Sequence, residues 1–514
     1  MRAVGTILFL VILATTVATF ARRWRIPAPS LLVLAGLAVA LIPGTPSFHV
    51  PPGTIALVVL PPLLYASAEE LSLRDLKAVW RPVTILASGL VLASAAAVGA
   101  VAVAFTPLTG KMAFVLGAVL ASTDPVAVTA LGRRLPLPGR VQVLVQAESL
   151  FNDATSLVLF KVAVGVAVAA GAVSVPAAGG EFVVLAGGGP AIGLALAAVV
   201  TLIRRRTTDP VLETVIALVA PYAAYVLAES AHTSGVTAVV VAGVVLGRSG
   251  HRLSDARIRL QLSAVYAVVV FLLESVVFSI VGLELPNLVR DLHGTADWWP
   301  LQALVLAAVL IVLRVAWVLP ISAMAIPDRG KPSWKMATVV TWAGTRGVMP
   351  LAAALSIPSA SDGTALPGRD LVLVLTTAVV VFTLVVQGLT LARVVNRSGV
   401  ALGPEDIASE ESSAREALNR AALAYLDGID GIDVPRTRPE AVTVKMRHNL
   451  VARIDHDAGG GDGNLAAYTD LRREVIEVQN TMLRRLYDDH EISDTTRRRL
   501  QHDLDQEETG LGSR

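Results

Sequence analysis

The chain reads as an all-α, polytopic membrane protein of about 13 spans in inverted-topology repeats, with two discontinuous helices crossing at mid-membrane and a soluble helical tail behind them. Three observations carry this. Hydrophobic residues make up 54% of 514 residues while aromatic ones reach only 5%, and the mean hydropathy is +0.64, which excludes an ordinary soluble domain. The apolar residues are gathered into runs able to cross ~30 Å of hydrocarbon at ~1.5 Å per residue. Lysine and arginine collect on one side of those runs. The absence of cysteine removes disulfides and thiolate metal sites, and a net charge of +2 gives no reason to expect a nucleic-acid partner.

The apolar segments lie near 3–21, 28–43, 53–69, 82–106, 111–131, 141–170, 181–203, 209–230, 234–247, 260–286, 298–326, 334–358 and 369–392. The first reads as a span rather than a leader: its amino-terminal flank carries only Arg2, no clean small-x-small cleavage site follows, and Arg22, Arg23 and Arg25 stand directly after it. With the amino terminus outside, the cytoplasmic loops hold Arg74, Lys77, Arg81, Arg133, Arg134, Arg140, Arg204 to Arg206, Arg248, Arg252, Arg257, Arg259, Arg329, Lys331 and Lys335. The outer loops hold Arg2, Lys111, Arg290 and Arg369. This bias fixes orientation by the positive-inside rule and leaves the carboxyl terminus in the cytoplasm. The expected organisation is a transmembrane domain over 1–397 in a cell's inner or plasma membrane, and a charged cytoplasmic tail over 398–514, regulatory in character. Stretches such as Leu471-Arg472-Arg473-Glu474-Val475-Ile476 give that tail helical spacing, and Gly459-Gly460-Gly461 divides it. The tail has no nucleotide-binding fingerprint, and His490-Glu491 lacks the second histidine of a metalloprotease helix.

Segment six carries Ala147-Glu148-Ser149-Leu150-Phe151-Asn152-Asp153, two acids and an amide inside a spanning run. A charge at the bilayer centre costs at least ~2.5–3.5 kcal/mol, so it faces a bundle interior or a watered path. Segment five carries Ala121-Ser122-Thr123-Asp124-Pro125 about halfway along. Proline disfavours helix at the residue before it, and Asp followed by Pro is the pairing of a helix start, so two half-helices are expected to meet here. Segment twelve carries Gly344-Thr345-Arg346-Gly347 and Pro350 at the same depth, a second break. The two segments cross in opposite directions, the pattern of an inverted-topology repeat with a transport site at its broken helices. Arg346 is placed to answer the negative carboxyl-terminal ends of the half-helices, and Asp124 the positive amino-terminal ends. Arg314 in segment eleven shares the depth of Glu148. An ion pair between them leaves Asp153 as the unpaired acid, with Arg346 the competing partner. Glu274 is also near mid-membrane; Lys161 reads as a snorkelling side chain, and Glu213, Glu229 and Glu284 as interfacial.

A deprotonated Asp153 among Thr123, Ser149, Asn152 and carbonyls freed by a broken helix makes an all-oxygen site. Such a site suits hard monovalent cations, Na⁺ or Li⁺, and needs no cofactor. Burial raises a carboxylate's pKa and a neighbouring arginine lowers it, so protons and cations are expected to compete there. One acid exchanges one charge for one, and Asn152 stands where a second acid would add another proton, so the exchange is expected to be electroneutral. The alternatives are a K⁺/H⁺ exchanger of the same architecture, a cation channel, and an intramembrane aspartyl protease. The protease lacks its Gly-x-Gly-Asp stretch, and paired broken helices favour a carrier over a pore.

Thr123-Asp124-Pro125, Glu148 to Asp153, and Gly344-Thr345-Arg346-Gly347 resemble the motifs of monovalent cation:proton antiporter family 1, the NhaP-like bacterial sodium/proton exchangers. Leu60-Pro61-Pro62-Leu63-Leu64-Tyr65, His232-Thr233-Ser234-Gly235-Val236 and Val281-Gly282-Leu283-Glu284-Leu285 support the resemblance, which covers about residues 3–395. It implies a non-enzymatic transporter acting in sodium transport and pH homeostasis, a homodimer of thirteen-helix subunits, each with a dimerisation part and a moving core. It assigns Asp153 and Asn152 to ion binding, Thr123 and Ser149 to supporting ligands, Glu148 with Arg314 to a stabilising pair, and Asp124 with Arg346 to the helix crossing. Glu274 departs from the asparagine of many relatives, which bears on the electroneutral expectation.

Overall fold

Aliphatic runs in hydrocarbon must satisfy their own backbone, and the helix is the way one segment does so; in the computed structural model the spans are helical. The structure describes residues 2–24, 27–42, 52–124, 137–168, 175–207, 209–253, 255–292, 298–325, 327–328, 331–332, 334–358, 360–361, 364–401, 403–430 and 465–510. In chain order these form α1 (Arg2–Trp24), α2 (Ala28–Ala40), α3 (Pro52–Glu69), α4 (Leu73–Thr84), a π-helical stretch (Ile85–Leu90), α5 (Val91–Phe105), α6 (Gly110–Leu120) and α7 (Gly139–Val168). There follow α8 (Val175–Arg204), α9 (Pro210–Ser230), α10 (Gly235–Leu253), α11 (Ala256–Asp291), α12 (Trp299–Ala325), α13 (Trp334–Trp342), α14 (Val348–Leu355) and α15 (Arg369–Ser398). The tail adds α16 (Pro404–Asp430), α17 (Leu465–Asp488) and α18 (Asp494–Gly510). Among the described residues 7 helices are long and apolar enough to cross a membrane, and shorter apolar helices such as α2 and α6 accompany them.

The chain divides into two compact units, one of Met1–Thr207, Val211–Leu253 and Val265–Ala401, the other of Thr208–Pro210, Ser254–Ala264 and Leu402–Arg514. In the first, van der Waals packing has to hold helices together, because lipid is as apolar as leucine. Small residues permit the close approach: a Cβ on Gly282 would strike the Val33 carbonyl of α2, and one on Gly36 the Ser279 carbonyl of α11. Leu10 of α1 and Ile280 and Leu283 of α11 close that contact. α4 to α7 pack on one another and on α12 to α15, with buried Ser30 of α2 donating to the Leu384 carbonyl of α15 at 2.7 Å. Local capping sets the starts of α4 and α6, where the Ser72 and Thr109 side chains accept the backbone N–H groups of Asp75 and Met112.

One sequence expectation is corrected here. Lys161 does not snorkel: its Nζ lies 2.5 Å from Glu229 Oε1, while Glu229 also accepts the Gly235 N–H at the start of α10. Glu213, expected near a membrane face, is 1% exposed within the protein and accepts from Arg204 Nε at 2.5 Å. In both, depth along a helix does not reveal the partner on the next helix.

In the second unit the amphipathic tail helices close around Leu418, Ile476, Leu483, Leu500 and Leu504. Arg472 pairs with Glu507 at 2.7 Å, and the Glu410 carboxylate accepts the Ser493 N–H at 2.6 Å at the start of α18. His490 takes φ of +65° just past α17, the left-handed position that ends a helix. Arg259, in the first turns of α11, belongs to this unit and donates through Nε to Asp505 Oδ2 at 2.9 Å.

Candidate functional site

Segments five and twelve both lose helical structure at mid-span. α6 stops at Leu120 and the chain is non-helical through Asp124; α13 stops at Trp342 and α14 restarts at Val348. The two non-helical stretches lie against each other. The Asp124 N–H donates to the Thr345 carbonyl at 2.8 Å, and the Thr345 hydroxyl donates to the Asp124 carbonyl at 2.9 Å. The half-helix expected after Pro125 lies outside the described residues.

Broken helices leave orphan carbonyls and N–H groups that cannot be hydrated in a buried place. Here side chains from the other helices take them up. Asp124 Oδ2 accepts the Val348 N–H at 3.1 Å, putting its charge at the amino-terminal end of α14. Arg346 donates from Nε to the Leu120 carbonyl at 2.9 Å and from Nη1 to its own strand at Gly344 at 3.1 Å. Its N–H is received by Thr383 of α15 at 3.2 Å. Arg314 of α12 donates to the Thr341 and Val340 carbonyls, each at 3.1 Å, at the end of α13. The glycines of Gly344-Thr345-Arg346-Gly347 follow from this crowding: a Cβ at 344 would fall 2.6 Å from Arg314 Cζ, and one at 347 would collide with the Asp124 carboxylate.

α7 lies over the crossing. Ser149 donates to the Thr123 carbonyl at 2.6 Å, Asn152 Nδ2 donates to Thr123 Oγ1 at 3.2 Å, and Ser156 pins α7 to α6 through the Ala118 carbonyl at 2.6 Å. Asp153 is 6% exposed and receives the Ser122 hydroxyl on Oδ1. It forms no ion pair among the described residues. Asn152 is fully buried, and its Oδ1 has no hydrogen-bond partner among the described residues. One turn away, Glu148 is gripped by Arg314 through Nη1 to Oε1 at 2.6 Å and Nη2 to Oε2 at 2.9 Å, with both side chains almost fully buried.

The structure therefore brings together Thr123, Ser149, Asn152 and Asp153 on one side of the crossing, and Asp124, Arg346, Glu148 and Arg314 around it. Several of the freed carbonyls are taken by side chains: those of Leu120, Val340, Thr341 and Gly344 accept from the two arginines and that of Thr123 from Ser149. Two participants escaped the sequence reading. Ser122 stood beside Thr123 in the quoted motif, and its hydroxyl was the available signal; Thr383 carries no signal in an ordinary apolar run. Among the described residues no group of three or more His, Asp or Glu side chains is arranged to hold a metal ion.

Comparison with known proteins bears on this geometry. The family model described as sodium/hydrogen exchanger, transmembrane, matches residues 8–397. The chain is 33% identical over 508 residues to an uncharacterized Na⁺/H⁺ exchanger of Mycobacterium tuberculosis, covering 95% of this chain and 92% of the other. It is 32% identical to the Na⁺/H⁺ antiporter ApNhaP of Aphanothece halophytica, over 79% of this chain and 76% of that one. Its fold is similar to that of the sodium proton antiporter MjNhaP1 from Methanocaldococcus jannaschii, with a TM-score of 0.62 at 21% identity, covering 76% of this chain and 99% of that one.

Proposed function

The chain belongs to the sodium/hydrogen exchanger family of multi-pass membrane transporters, and on that premise we propose that it exchanges Na⁺, or Li⁺, for H⁺, the two ions occupying the Asp153 carboxylate by turns. The observation that carries the reading is a buried carboxylate with one hydroxyl donor and no ion-paired cation, beside the unpartnered Asn152 Oδ1. Unsatisfied buried acceptors are rare, and here they are oxygens of the type a hard cation prefers. Asp153 and Asn152 are the ion ligands in this reading, with Thr123 and Ser149 as supporting oxygens. Ser122 joins them as a donor that can turn its proton away when a cation arrives.

The charges around the site sort themselves. Glu148 and Arg314 neutralise one another, and Asp124 and Arg346 are spent on helix ends of opposite polarity. Asp153 is then the charge whose neutralisation changes, which supports one-for-one, electroneutral exchange. Only the neutralised site crosses the apolar barrier readily, so alternating access follows from the desolvation cost of the bare carboxylate. In this reading the amino terminus is outside, the carboxyl terminus is cytoplasmic, two copies form a homodimer in the plasma membrane, and α16 to α18 regulate transport through the Arg259–Asp505 contact.

The test is dissipation of a pH gradient in inverted vesicles on addition of Na⁺, Li⁺ or K⁺. The unaltered protein is expected to respond to Na⁺ and Li⁺, and Asp153→Ala to lose the response at equal protein level. Undiminished exchange in Asp153→Ala, or a steady current under a cation gradient with Asp153 intact, refutes the reading.

A further inference from the structure

Glu284 is an acid that the exchange site does not use. Val277, Val281 and Glu284 recur at i, i+4 and i+7, which places them on one stripe of α11. That stripe lines a cavity with Leu351 and Leu355 of α14 and Thr377 of α15. The opposite flank of α11 is committed to α1 and α2 through Leu283 and Gly282. A carboxylate therefore occupies a position in an apolar stripe where packing alone calls for leucine or valine. Among the described residues it meets no cationic side chain and no hydrogen-bond donor.

The other side-chain oxygen in the lining is that of Thr377. Its hydroxyl proton is already donated to the Leu373 carbonyl at 2.7 Å, so the oxygen has only lone pairs to offer the cavity. A donor set of one carboxylate and one hydroxyl oxygen without a free proton rejects anions and accepts a proton or a small cation. The cavity lies at the end of α14 remote from the crossing, beside the first half of α15. It is thus displaced along the membrane normal from Asp153 and faces the outer solution in the orientation proposed above.

We propose that Glu284 and Thr377 form a second, outer staging site for a monovalent cation or proton between α11 and the α14–α15 pair, on the path between Asp153 and the outer solution. The proposal rests on the exchange reading and adds a sidedness to it. α14 begins at the crossing, so the staging site lies between α11 and a helix that leads to the exchange site. A cation held there is handed to Asp153 when the α14–α15 pair shifts against α11.

The experiment uses the full chain in vesicles of known orientation, with Na⁺ presented to one face at a time and proton movement as the readout. In Glu284→Gln the half-saturating Na⁺ concentration at the outer face is expected to rise threefold or more relative to that at the inner face. Glu284→Asp is expected to keep the wild-type ratio, and Thr377→Val to shift it in the same direction by a smaller factor. An unchanged ratio in Glu284→Gln, or equal shifts at both faces, overturns the staging site. If Glu284→Gln does not reach the membrane, the ratio in Thr377→Val decides in the same way. Absence of Na⁺-driven proton movement in the unaltered protein overturns the exchange reading itself, whereas normal exchange with an unshifted ratio overturns only this site.

Discussion

Replacing Glu148 by Gln and Arg314 by Met, singly and together, measures the buried pair that leaves Asp153 as the free charge. Removing one partner of a buried ion pair strands the other and costs ~3–5 kcal/mol. Glu148→Gln preserves the shape but leaves the Arg314 guanidinium, 3% exposed, facing a neutral amide. Arg314→Met strands Glu148 and also removes one donor each from the Val340 and Thr341 carbonyls, which adds ~0.5–1.5 kcal/mol for each. It is therefore expected to cost ~4–8 kcal/mol. In the double variant neither charge is stranded, and what remains is the two carbonyls and imperfect packing, ~2–4 kcal/mol. The double variant should be more stable than Arg314→Met alone. Reversible unfolding in mixed micelles, titrated with a denaturing detergent, supplies the four stabilities. If the two single losses sum to the double loss within ~0.5 kcal/mol, the residues are not coupled and the charge accounting at Asp153 fails.

Gly347→Ala puts a methyl group into the Asp124 carboxylate, so the cap on α14 is lost and stability should fall by ~1–3 kcal/mol, a charge-assisted bond. Gly344→Ala, which drives against Arg314, should lower the same unfolding midpoint, and normal midpoints in both would show the crossing to be looser than described. In the tail, burial pushes Glu411 and Asp494 up, but the arginines around them outweigh it: Arg499 and Arg415 for Glu411, Arg498 and Arg497 for Asp494. Both carboxyls end below their ordinary values of 4.5 and 3.8. A lowered carboxyl contributes stability that is present above its unfolded value and lost as pH falls through the folded one. Burial holds Glu508 up instead, so its contribution runs the other way, fading as pH rises from 4.5 through its raised value. Hydrogen exchange on the full chain should show α16 and α18 losing protection below about pH 4.5, and losing less of it in Asp494→Asn; protection unchanged down to pH 3 would refute the assignment.

Much of the fold is legible because a membrane removes choices. An apolar run must be helical, its charges face inward, and its flanking arginines point one way, so the segments and their breaks could be marked from composition, Pro125, Gly344 and Gly347. Depth along each helix placed Asp153, Glu148, Arg314 and Arg346 at related levels, and the structure joins Glu148 to Arg314. What depth does not encode is which helix stands beside which. Lys161 was misread for that reason and the partner of Glu213 was not foreseen, since Glu229 and Arg204 lie on other helices. Nor does depth encode which freed carbonyls the neighbouring arginines reach, here those of Leu120, Val340, Thr341 and Gly344. Thr383 had nothing to mark it, because a threonine in a span more often bonds its own preceding turn, as Thr377 does.

The paired stretches at Asp124 and Thr345 are joined by one main-chain bond and by the Thr345 hydroxyl, and each is braced by a further side chain sent from the opposite stretch. Such a knot has no slack in which one strand could slip while its neighbour stayed put. In the exchange reading proposed above, whatever opens Asp153 to one solution or the other is then expected to carry both stretches together, so that the gate and the seat for the ion travel as one solid block.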